Sequence, residues 1–310
     1  MTPAQEHLAT RQAVGLFDFS FMSLCEIAGG AAPALLERLQ TRAPDRVEPG
    51  QLVYTLLLRD DGAVFVDATL WRHADGEWWL FTGRRSDIPW IAERAAGFDV
   101  RIRERSGELA VLALQGPSSG TVLARFAGAG LVRSLRYFHF VHHGGSVIGR
   151  LGFSGELGYE IMLPADQAPT TRKALLEAGR DLGIVECSFA AANSLRIESG
   201  YVLFGREIDG RANPRELRLE RLVSSPLKFG LTRKLLGLEI LHRAPRADLP
   251  LAHVTSECFS PVLGRQIALG FGAPEACTGE HVRLADGRLA GAVRLPFYDP
   301  GRRLPRGAPL

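Results

Sequence analysis

The sequence predicts an α+β fold in which a mixed body precedes a small all-β domain. In the first two thirds of the chain, helix-like stretches alternate with hairpin-like strand pairs, which is typical of α+β folds and not of a doubly wound parallel sheet. After about residue 229, short strand-like runs are separated by Gly, Pro and Asp-Gly turns, as in a small barrel or sandwich. We therefore expect a boundary near residues 222–232, with one domain over 1–225 and a second over 226–310.

Helices are predicted where apolar residues recur at helical spacing, and in one case where a Ser/Asp cap comes first. The predicted helices are Pro3–Val14, Ala32–Gln40, Ser86–Ala96, Ser118–Ala127, Thr170–Leu182 and Ala190–Glu198.

Strands are predicted where β-branched, aromatic and aliphatic residues cluster between turn residues. Those of the body are Leu24–Ala28, Gln51–Arg59, Ala63–Arg72, Trp78–Thr82, Val100–Glu104, Leu109–Gln115, Phe138–Val141, Ser146–Phe153 and Tyr159–Leu163. Those of the β domain are Leu235–Leu241, Ala252–Glu257, Gln266–Gly270, His281–Leu284 and Leu289–Arg294. The tail after Phe297 is rich in Pro, Gly and Arg, so we expect it to fray.

Composition excludes several classes of protein. The 310 residues are 46% hydrophobic and 23% charged, which is ordinary for a soluble globular protein. The net charge of +3 is spread along the chain, so no nucleic-acid footprint is visible. The N-terminus lacks a signal-peptide pattern and no apolar run is long enough to span a membrane, so we expect a cytoplasmic protein.

Neither the cysteines nor the histidines indicate a metal site. The four cysteines are far apart in sequence and are expected to be reduced, small apolar residues: Cys25, Cys187, Cys258 and Cys277. His142 and His143 are adjacent on a predicted strand, so their side chains point to opposite faces and cannot easily share a metal ion.

Asp67 is the first candidate site residue, because it lies within the apolar strand GAVFVDATLW at residues 62–71. Side chains alternate along a strand, so Asp67 shares a face with Phe65, Thr69 and Trp71 and lies opposite an aliphatic stripe. A buried carboxylate is costly unless it is paired. Asp67 is therefore either a solvated or structural residue, or an anionic group in an aromatic-walled pocket.

Two further stretches contain candidate carboxylates. In RLGFSGELGYEIMLP, residues 150–164, three glycines surround Glu156 just before a strand that carries Glu160. Glycines at this spacing allow close approach of a ligand, although a tight hairpin with solvated carboxylates would look the same. In NSLRIESGYVLFGREID, residues 193–209, Glu198 lies at the end of a helix and close to aromatics. Two interpretations of Glu198 are open: it lines a pocket, or it forms a salt bridge with Arg196 or Arg206.

Seven blocks, taken in order, resemble the aminomethyltransferase (glycine-cleavage T-protein) family. They lie between about residues 6 and 271 and read EHLATRQAVGLFDFSFMSLCEIAG, YTLLLRDDGAVFVDATLW, LALQGPSS, RLGFSGELGYEI, LRIESGYVLFGREID, TSECFSP and IALGF. The resemblance implies a three-lobed, cloverleaf-like fold with two intertwined lobes over 1–225 and a small C-terminal β-barrel. It also implies that tetrahydrofolate binds at the centre.

The resemblance assigns roles to individual residues. Asp67 matches the second acid of a GGIIDDL-like motif and would be the catalytic carboxylate near the folate nitrogens. The other matched residues would bind the cofactor: Tyr54 and Trp71 as cavity walls, Tyr159 and Glu160 from a YTGExGYE-like motif, Glu198 from LRLEAG, and Arg206 from some branches of the family.

The chain also departs from the family pattern on the donor side. Val66 replaces the first acid, Thr82 and Gly83 replace an Asn/Ser-Ala pair, the barrel is shorter between Leu241 and His253, and about thirty residues found before the first block in the family are absent. A partner protein subunit is therefore an expected partner beside the small-molecule one-carbon donor.

The implied function is a methyl or aminomethyl transferase of the demethylase type, which moves a one-carbon group to tetrahydrofolate. The alternatives are a non-catalytic folate-binding protein and an accessory subunit of a one-carbon-generating oxidase or demethylase complex.

Overall fold

The computed structural model describes residues 1–224, 228–246, 248–276 and 278–310, so the predicted 225/226 boundary and Cys277 lie outside the described residues. Cys25, Cys187 and Cys258 are free thiols. No helix in the described ranges is long and apolar enough to cross a membrane.

The helices and strands are numbered here in chain order. The helices are α1 Pro3–Gln12, α2 Ala32–Leu39, α3 Ile88–Arg94, α4 Ser119–Ala127, α5 Ala129–Ser134, α6 Ala168–Ala178 and α7 Phe189–Glu198. The strands of the body are β1 Val14–Asp18, β2 Ser23–Ala28, β3 Leu52–Leu58, β4 Val64–Ala74, β5 Glu77–Thr82, β6 Arg101–Glu104, β7 Leu109–Gln115, β8 Phe140–His143, β9 Ser146–Gly149, β10 Gly158–Pro164 and β11 Ile184–Cys187. Those that follow are β12 Lys234–Leu241, β13 Leu251–Ser260, β14 Arg265–Gly272, β15 His281–Leu284 and β16 Leu289–Val293.

Two open sheets form the body. The first has the strand order β11-β1-β7-β10-β9-β8, and the second has the order β3-β4-β5-β2-β6. In the first sheet only β1 and β11 run parallel, whereas the second is entirely antiparallel. Helices α4 and α6 cover one face of the first sheet over an aliphatic core that includes Leu114, Val122 and Ile161. The α+β prediction is therefore confirmed.

The chain after residue 233 closes into a five-stranded barrel with the order β12-β14-β13-β15-β16. Closure leaves no strand edge unpaired, which is how small β domains avoid edge-to-edge association. Helix α7 packs against β13 and β14, so the barrel contacts the body close to Glu198. The prediction of a small C-terminal barrel is also confirmed.

Three elements differ from the sequence-based expectation. Helix α5 and strands β1 and β11 were not predicted, because each is short and follows another element after only a few residues. The tail does not fray: Pro305 is buried, Arg150 donates to the carbonyl of Gly307, and Tyr298 N donates to the Glu198 carbonyl at 3.0 Å. Composition alone misled here, because these contacts come from residues distant in sequence.

Candidate functional site

Asp67 lies in the middle of β4, on the face directed away from the aliphatic core of its own sheet. Val66, Ala68 and Leu70 pack into that core, and the alternation of the strand therefore turns Asp67 toward the junction of the body with the barrel. Its register partner Leu56 packs with barrel residues such as Leu269. Asp67 is partly buried.

The Asp67 carboxylate has one direct side-chain donor in the described part of the chain. Tyr54 lies one strand away on β3 and donates its hydroxyl to Asp67 Oδ2 at 3.0 Å. Burial raises the pKa of Asp67 to about 6, and the Tyr54 hydrogen bond opposes this rise. The nearby Asp87 charge raises the pKa further, while Arg84 lowers it. The group is therefore largely ionised at neutral pH yet close to titration, as general acid–base catalysis requires.

One wall beside Asp67 is made by Arg84 and the aromatic side chains that flank it. Arg84 pairs with the buried Asp87 at 2.9 Å and lies over the rings of Phe65 and Phe204, 5.8 Å and 5.4 Å from their centroids. Phe204 packs directly on Gly83, where an added Cβ would lie 1.9 Å from the ring. The glycine therefore leaves space for this aromatic ring.

Glu160 is a second carboxylate that faces the interior, from the other sheet. On β10 its neighbours Tyr159 and Ile161 pack into the helix-covered core, so Glu160 and Met162 point the opposite way. Glu160 is buried, and no described side chain or backbone group donates a hydrogen bond to it. Burial alone raises its pKa to about 7. Such an unpaired buried carboxylate is costly, and it is typical of a binding or catalytic site.

Trp71 lies between the two sheets that carry Asp67 and Glu160. It lies on β4, four residues from Asp67 on the same face, and is almost fully buried, with its Nε1 donating to Thr69 Oγ1 at 2.9 Å. Its ring covers Gly149, the register partner of Glu160, where an added Cβ would lie 2.3 Å from the ring. Asp67 and Glu160 thus lie on facing sheets, and Trp71 is packed between those sheets.

Glu198 is fully buried in a network of protein donors. Arg11 donates to its Oε2 at 2.9 and 3.1 Å, His7 lies 3.0 Å from the same oxygen, and Ser260 donates to Oε1. Burial alone would raise the pKa of Glu198, but the His7 hydrogen bond and the Arg11 charge outweigh it and lower the pKa. Both oxygens are engaged, so a ligand would have to displace one of these groups to reach Glu198.

Two other predicted residues lie apart from this face. Tyr159 is fully buried on the opposite face of β10, within the core that α4 and α6 cover. Arg206 is exposed in the turn that follows Phe204. The two residues are therefore not brought together with Asp67 and Glu160.

Several residues near the site were missed as candidates from the sequence. Phe153 and Tyr201 stack with their ring centroids 6.1 Å apart, and Arg302 lies over Tyr201 at 5.0 Å. Arg306 lies over Tyr137 at 5.5 Å. The repeated Arg residues of the tail are the signal in the sequence for these contacts, but the Pro, Gly and Arg content of the tail predicts a fraying end instead.

Two surface cavities lie elsewhere. One of about 160 Å³ is lined by residues that include Asp18, Arg172 and Cys187, and one of about 470 Å³ by residues that include Asn213 and Arg233. Neither contains a predicted site residue. Within the described ranges, no group of three His, Cys, Asp or Glu side chains could hold a metal ion.

The comparisons with known proteins agree on one family. A sequence model of the GCVT N-terminal domain matches residues 2–226. The aminomethyltransferase of Moorella thermoacetica is 33% identical over 328 residues, which cover 95% of this chain and 89% of the relative. That of Alcanivorax borkumensis is 35% identical over 327 residues and covers 96% and 89%.

A solved structure extends the likeness to the fold. The glycine cleavage system aminomethyltransferase T from Bartonella henselae matches with a TM-score of 0.85 and 26% identity, over 96% of this chain and 90% of that chain.

Proposed function

Because this chain belongs to the aminomethyltransferase (glycine-cleavage T-protein) family, we propose that it is a tetrahydrofolate-dependent one-carbon transferase. It moves a methyl or aminomethyl group from a small donor to tetrahydrofolate. The names of the relatives support an aminomethyltransferase kind of enzyme. One observation supports the transferase assignment most directly: Tyr54 holds an ionisable Asp67 on one sheet, and the other sheet carries a second buried carboxylate, Glu160, without a hydrogen-bond donor among the described residues.

The side chains fit a folate. A pterin is flat and presents an edge of N–H donors, so it needs an acceptor and apolar walls. Glu160 offers a buried carboxylate without a protein donor in the described ranges, and Tyr54 offers aromatic surface on the facing sheet. Trp71, which is packed between the two sheets, supports this wall from within the core. We assign Glu160 to the pterin edge. Glu198 has a structural role, because Arg11 joins it to Glu156. Tyr159 packs into the helix-covered core on the opposite face of β10 from Glu160.

Asp67 carries the chemistry in this proposal. Tetrahydrofolate supplies the nucleophilic nitrogen that accepts the one-carbon unit. Asp67, ionised at neutral pH, stabilises positive charge that develops beside it and takes up the proton released there. Tyr54 fixes the orientation of the carboxylate by its hydrogen bond. Arg84 and Asp87 modulate its charge.

The donor is the open part of the proposal, because the chain departs from the family pattern at Val66, Thr82 and Gly83. The candidate donors are aminomethyl compounds and the methylated compounds expected from the resemblance: sulfonium compounds, methoxylated aromatics and N-methyl amines. The direct test titrates tetrahydrofolate into the purified protein and then screens these donors for transfer. If folate binds without transfer from any donor, the non-catalytic or accessory role is favoured. If folate does not bind at all, the proposal fails.

Replacing Glu160 by Gln should weaken binding of 5-formyltetrahydrofolate by ~10–100-fold, because a charge-assisted hydrogen bond is lost. The wild-type affinity should rise as the pH increases through about 7, where Glu160 ionises, and the Gln variant should lack this rise. Calorimetric titration between pH 5.5 and 8.5 measures both effects.

Glu160→Gln should weaken folate binding but increase the stability of the folded protein. The pKa of Glu160 is higher in the folded chain than in the unfolded chain, so its contribution to stability falls as the pH rises from about 4.5 to about 7. Glu160→Gln should therefore unfold at a higher temperature than wild type at pH 8. If Glu160→Gln bound 5-formyltetrahydrofolate as tightly as wild type at every pH, the assignment of Glu160 to the binding site would be wrong.

A further inference from the structure

His73 and His142 form a close pair of imidazole rings where the two sheets of the body meet. His73 is on β4, the strand that carries Asp67, whereas His142 is on β8, an edge strand of the sheet that carries Glu160. His73 Nδ1 lies 3.1 Å from His142 Nε2. The two residues are 69 positions apart in the sequence, so local spacing could not indicate the pair.

Aromatic side chains hold the His73 ring in place. Its centre lies 4.2 Å from that of Trp79 and 4.7 Å from that of Phe140, and Phe140 also contacts Trp71 at 5.1 Å. His73 Nε2 is buried and has no hydrogen-bond partner among the described residues, so Nδ1 is the nitrogen directed at a possible ligand. His142 is exposed, and solvent therefore reaches the pair from its side. The pair is held on one side and open on the other.

The surroundings of the pair keep the His73 ring neutral. Burial lowers the pKa of His73 to about 4, and the charges of His142 and Arg105 add to this effect. Arg105 is itself balanced by two carboxylates, Glu26 at 3.4 Å and Glu108 at 2.9 Å. Neutral imidazole is the form that binds metal ions, and histidine is their commonest ligand in proteins.

We propose that His73 Nδ1 and His142 Nε2 bind one divalent transition-metal ion of the Cu²⁺, Ni²⁺ or Zn²⁺ class. Two nitrogens that each lie about 2.0–2.1 Å from one tetrahedral ion are about 3.3–3.4 Å apart, close to the distance within this pair. Imidazole suits these ions, and water completes the coordination, because no third His, Cys, Asp or Glu of the described ranges joins the pair. On binding, the ion gives up two waters and one neutral ring moves its proton to its other nitrogen. For His73 that nitrogen is Nε2, which lies among aromatic rings that accept N–H groups weakly.

The ion would act on the structure and not on the transfer chemistry. Along β4, His73 comes six residues after Asp67, which corresponds to about 20 Å of strand. A bound ion would instead fasten β4 to β8, and so join the sheets that carry Asp67 and Glu160. Because the two histidines are separated in the unfolded chain, the ion binds the folded state preferentially and stabilises it.

The test titrates Cu²⁺, Zn²⁺ and Mg²⁺ alone into the full chain, prepared without a histidine tag, by calorimetry. Wild type should bind Cu²⁺ more tightly than Zn²⁺ and should not bind Mg²⁺, which is the order expected for imidazole ligands. Cu²⁺ should also quench tryptophan fluorescence, because Trp79 adjoins His73, and EDTA should restore the signal. Zn²⁺ should raise the midpoint of thermal unfolding. Failure of wild type to bind Cu²⁺ or Zn²⁺ would overturn the proposal.

His142→Gln and His73→Gln should each weaken Cu²⁺ and Zn²⁺ binding by at least ~10-fold, the cost of losing even a group that only supports a ligand. Both should also lose the quenching and the thermal shift. His142 is exposed, so its variant decides the result even if His73→Gln fails to fold. His143→Gln is the matched control, because His143 is exposed on the same strand but directed to the opposite face, and it should bind as wild type does. Equal binding by wild type and His142→Gln, or an equal loss in His143→Gln, would show that the pair is not the site.

Discussion

Replacing Asp67 by Asn should reduce one-carbon transfer by ~10²–10⁴-fold while changing tetrahydrofolate affinity by less than about threefold. The amide keeps the shape of the side chain but can neither stabilise positive charge nor take up a proton. Wild-type activity should fall as the pH drops through about 6, where the pKa of Asp67 lies, and the residual activity of the variant should lack this limb. Transfer rates between pH 5 and 8.5 measure both effects.

The Asn variant should also be more stable than wild type. The pKa of Asp67 is higher in the folded chain than in the unfolded chain, so the folded state binds the proton more tightly. Its contribution to stability therefore falls as the pH rises from about 4 to about 6. Removing the charge should stabilise the protein by ~1–3 kcal/mol at pH 7.5. Loss of activity together with a raised midpoint of unfolding would distinguish a functional carboxylate from a structural one.

Asp75→Asn is the matched control, because Asp75 belongs to the same hairpin but its side chain is 91% exposed. It should leave the rate and stability close to wild type. Tyr54→Phe should move the acidic limb to higher pH, because the Tyr54 hydrogen bond lowers the pKa of Asp67. If Asp67→Asn retained most of the transfer activity, the catalytic assignment would have to be abandoned.

Strand alternation accounts for what could be predicted of this site. It placed Asp67 on the same face as Trp71, opposite Val66, and the structure has the same division. The same rule, applied to β10, separates Tyr159 from Glu160, although both were expected at the cofactor. Matching to a family motif assigns adjacent residues to one site, whereas the side chains of adjacent strand residues point to opposite faces of the sheet.

Partners distant in sequence could not be predicted. A salt bridge to Arg196 or Arg206 was the simple alternative for Glu198, but Arg196 pairs with Glu207 at 2.7 Å. Glu198 instead binds Arg11, 187 positions away. Nothing in local spacing indicates that α1 passes beside α7. The order of the C-terminal tail could not be predicted either, because the aromatic partners of its arginines, Tyr201 and Tyr137, lie far earlier in the chain.

The largest effect on stability is expected at Arg11, which joins four parts of the chain. Its guanidinium donates to Glu198 on α7, to Glu156 at 2.8 Å and to the Ser154 carbonyl at 2.8 Å, and it lies 4.0 Å from the Tyr298 ring centre. Arg11→Met keeps most of the volume but leaves two buried carboxylates without their cation. Breaking a buried pair in this way costs about 3–5 kcal/mol.

The pH dependence tests this cause directly. Glu198 has a lowered pKa in the wild type, so its contribution to stability is present above the unfolded pKa and is lost as the pH falls. Without Arg11 the stranded carboxylates favour protonation, so the loss in Arg11→Met should be larger at pH 8 than at pH 5. Urea unfolding at the two pH values measures the difference.

The control and a second substitution separate charge from packing. Arg38 on α2 is exposed and forms no ion pair in the described part of the chain, so Arg38→Met should change stability by less than about 0.5 kcal/mol. Adding Glu198→Gln to Arg11→Met should recover part of the loss, because the added substitution removes one of the two stranded charges. A loss that is independent of pH and is not relieved by Glu198→Gln would show that Arg11 acts through packing alone.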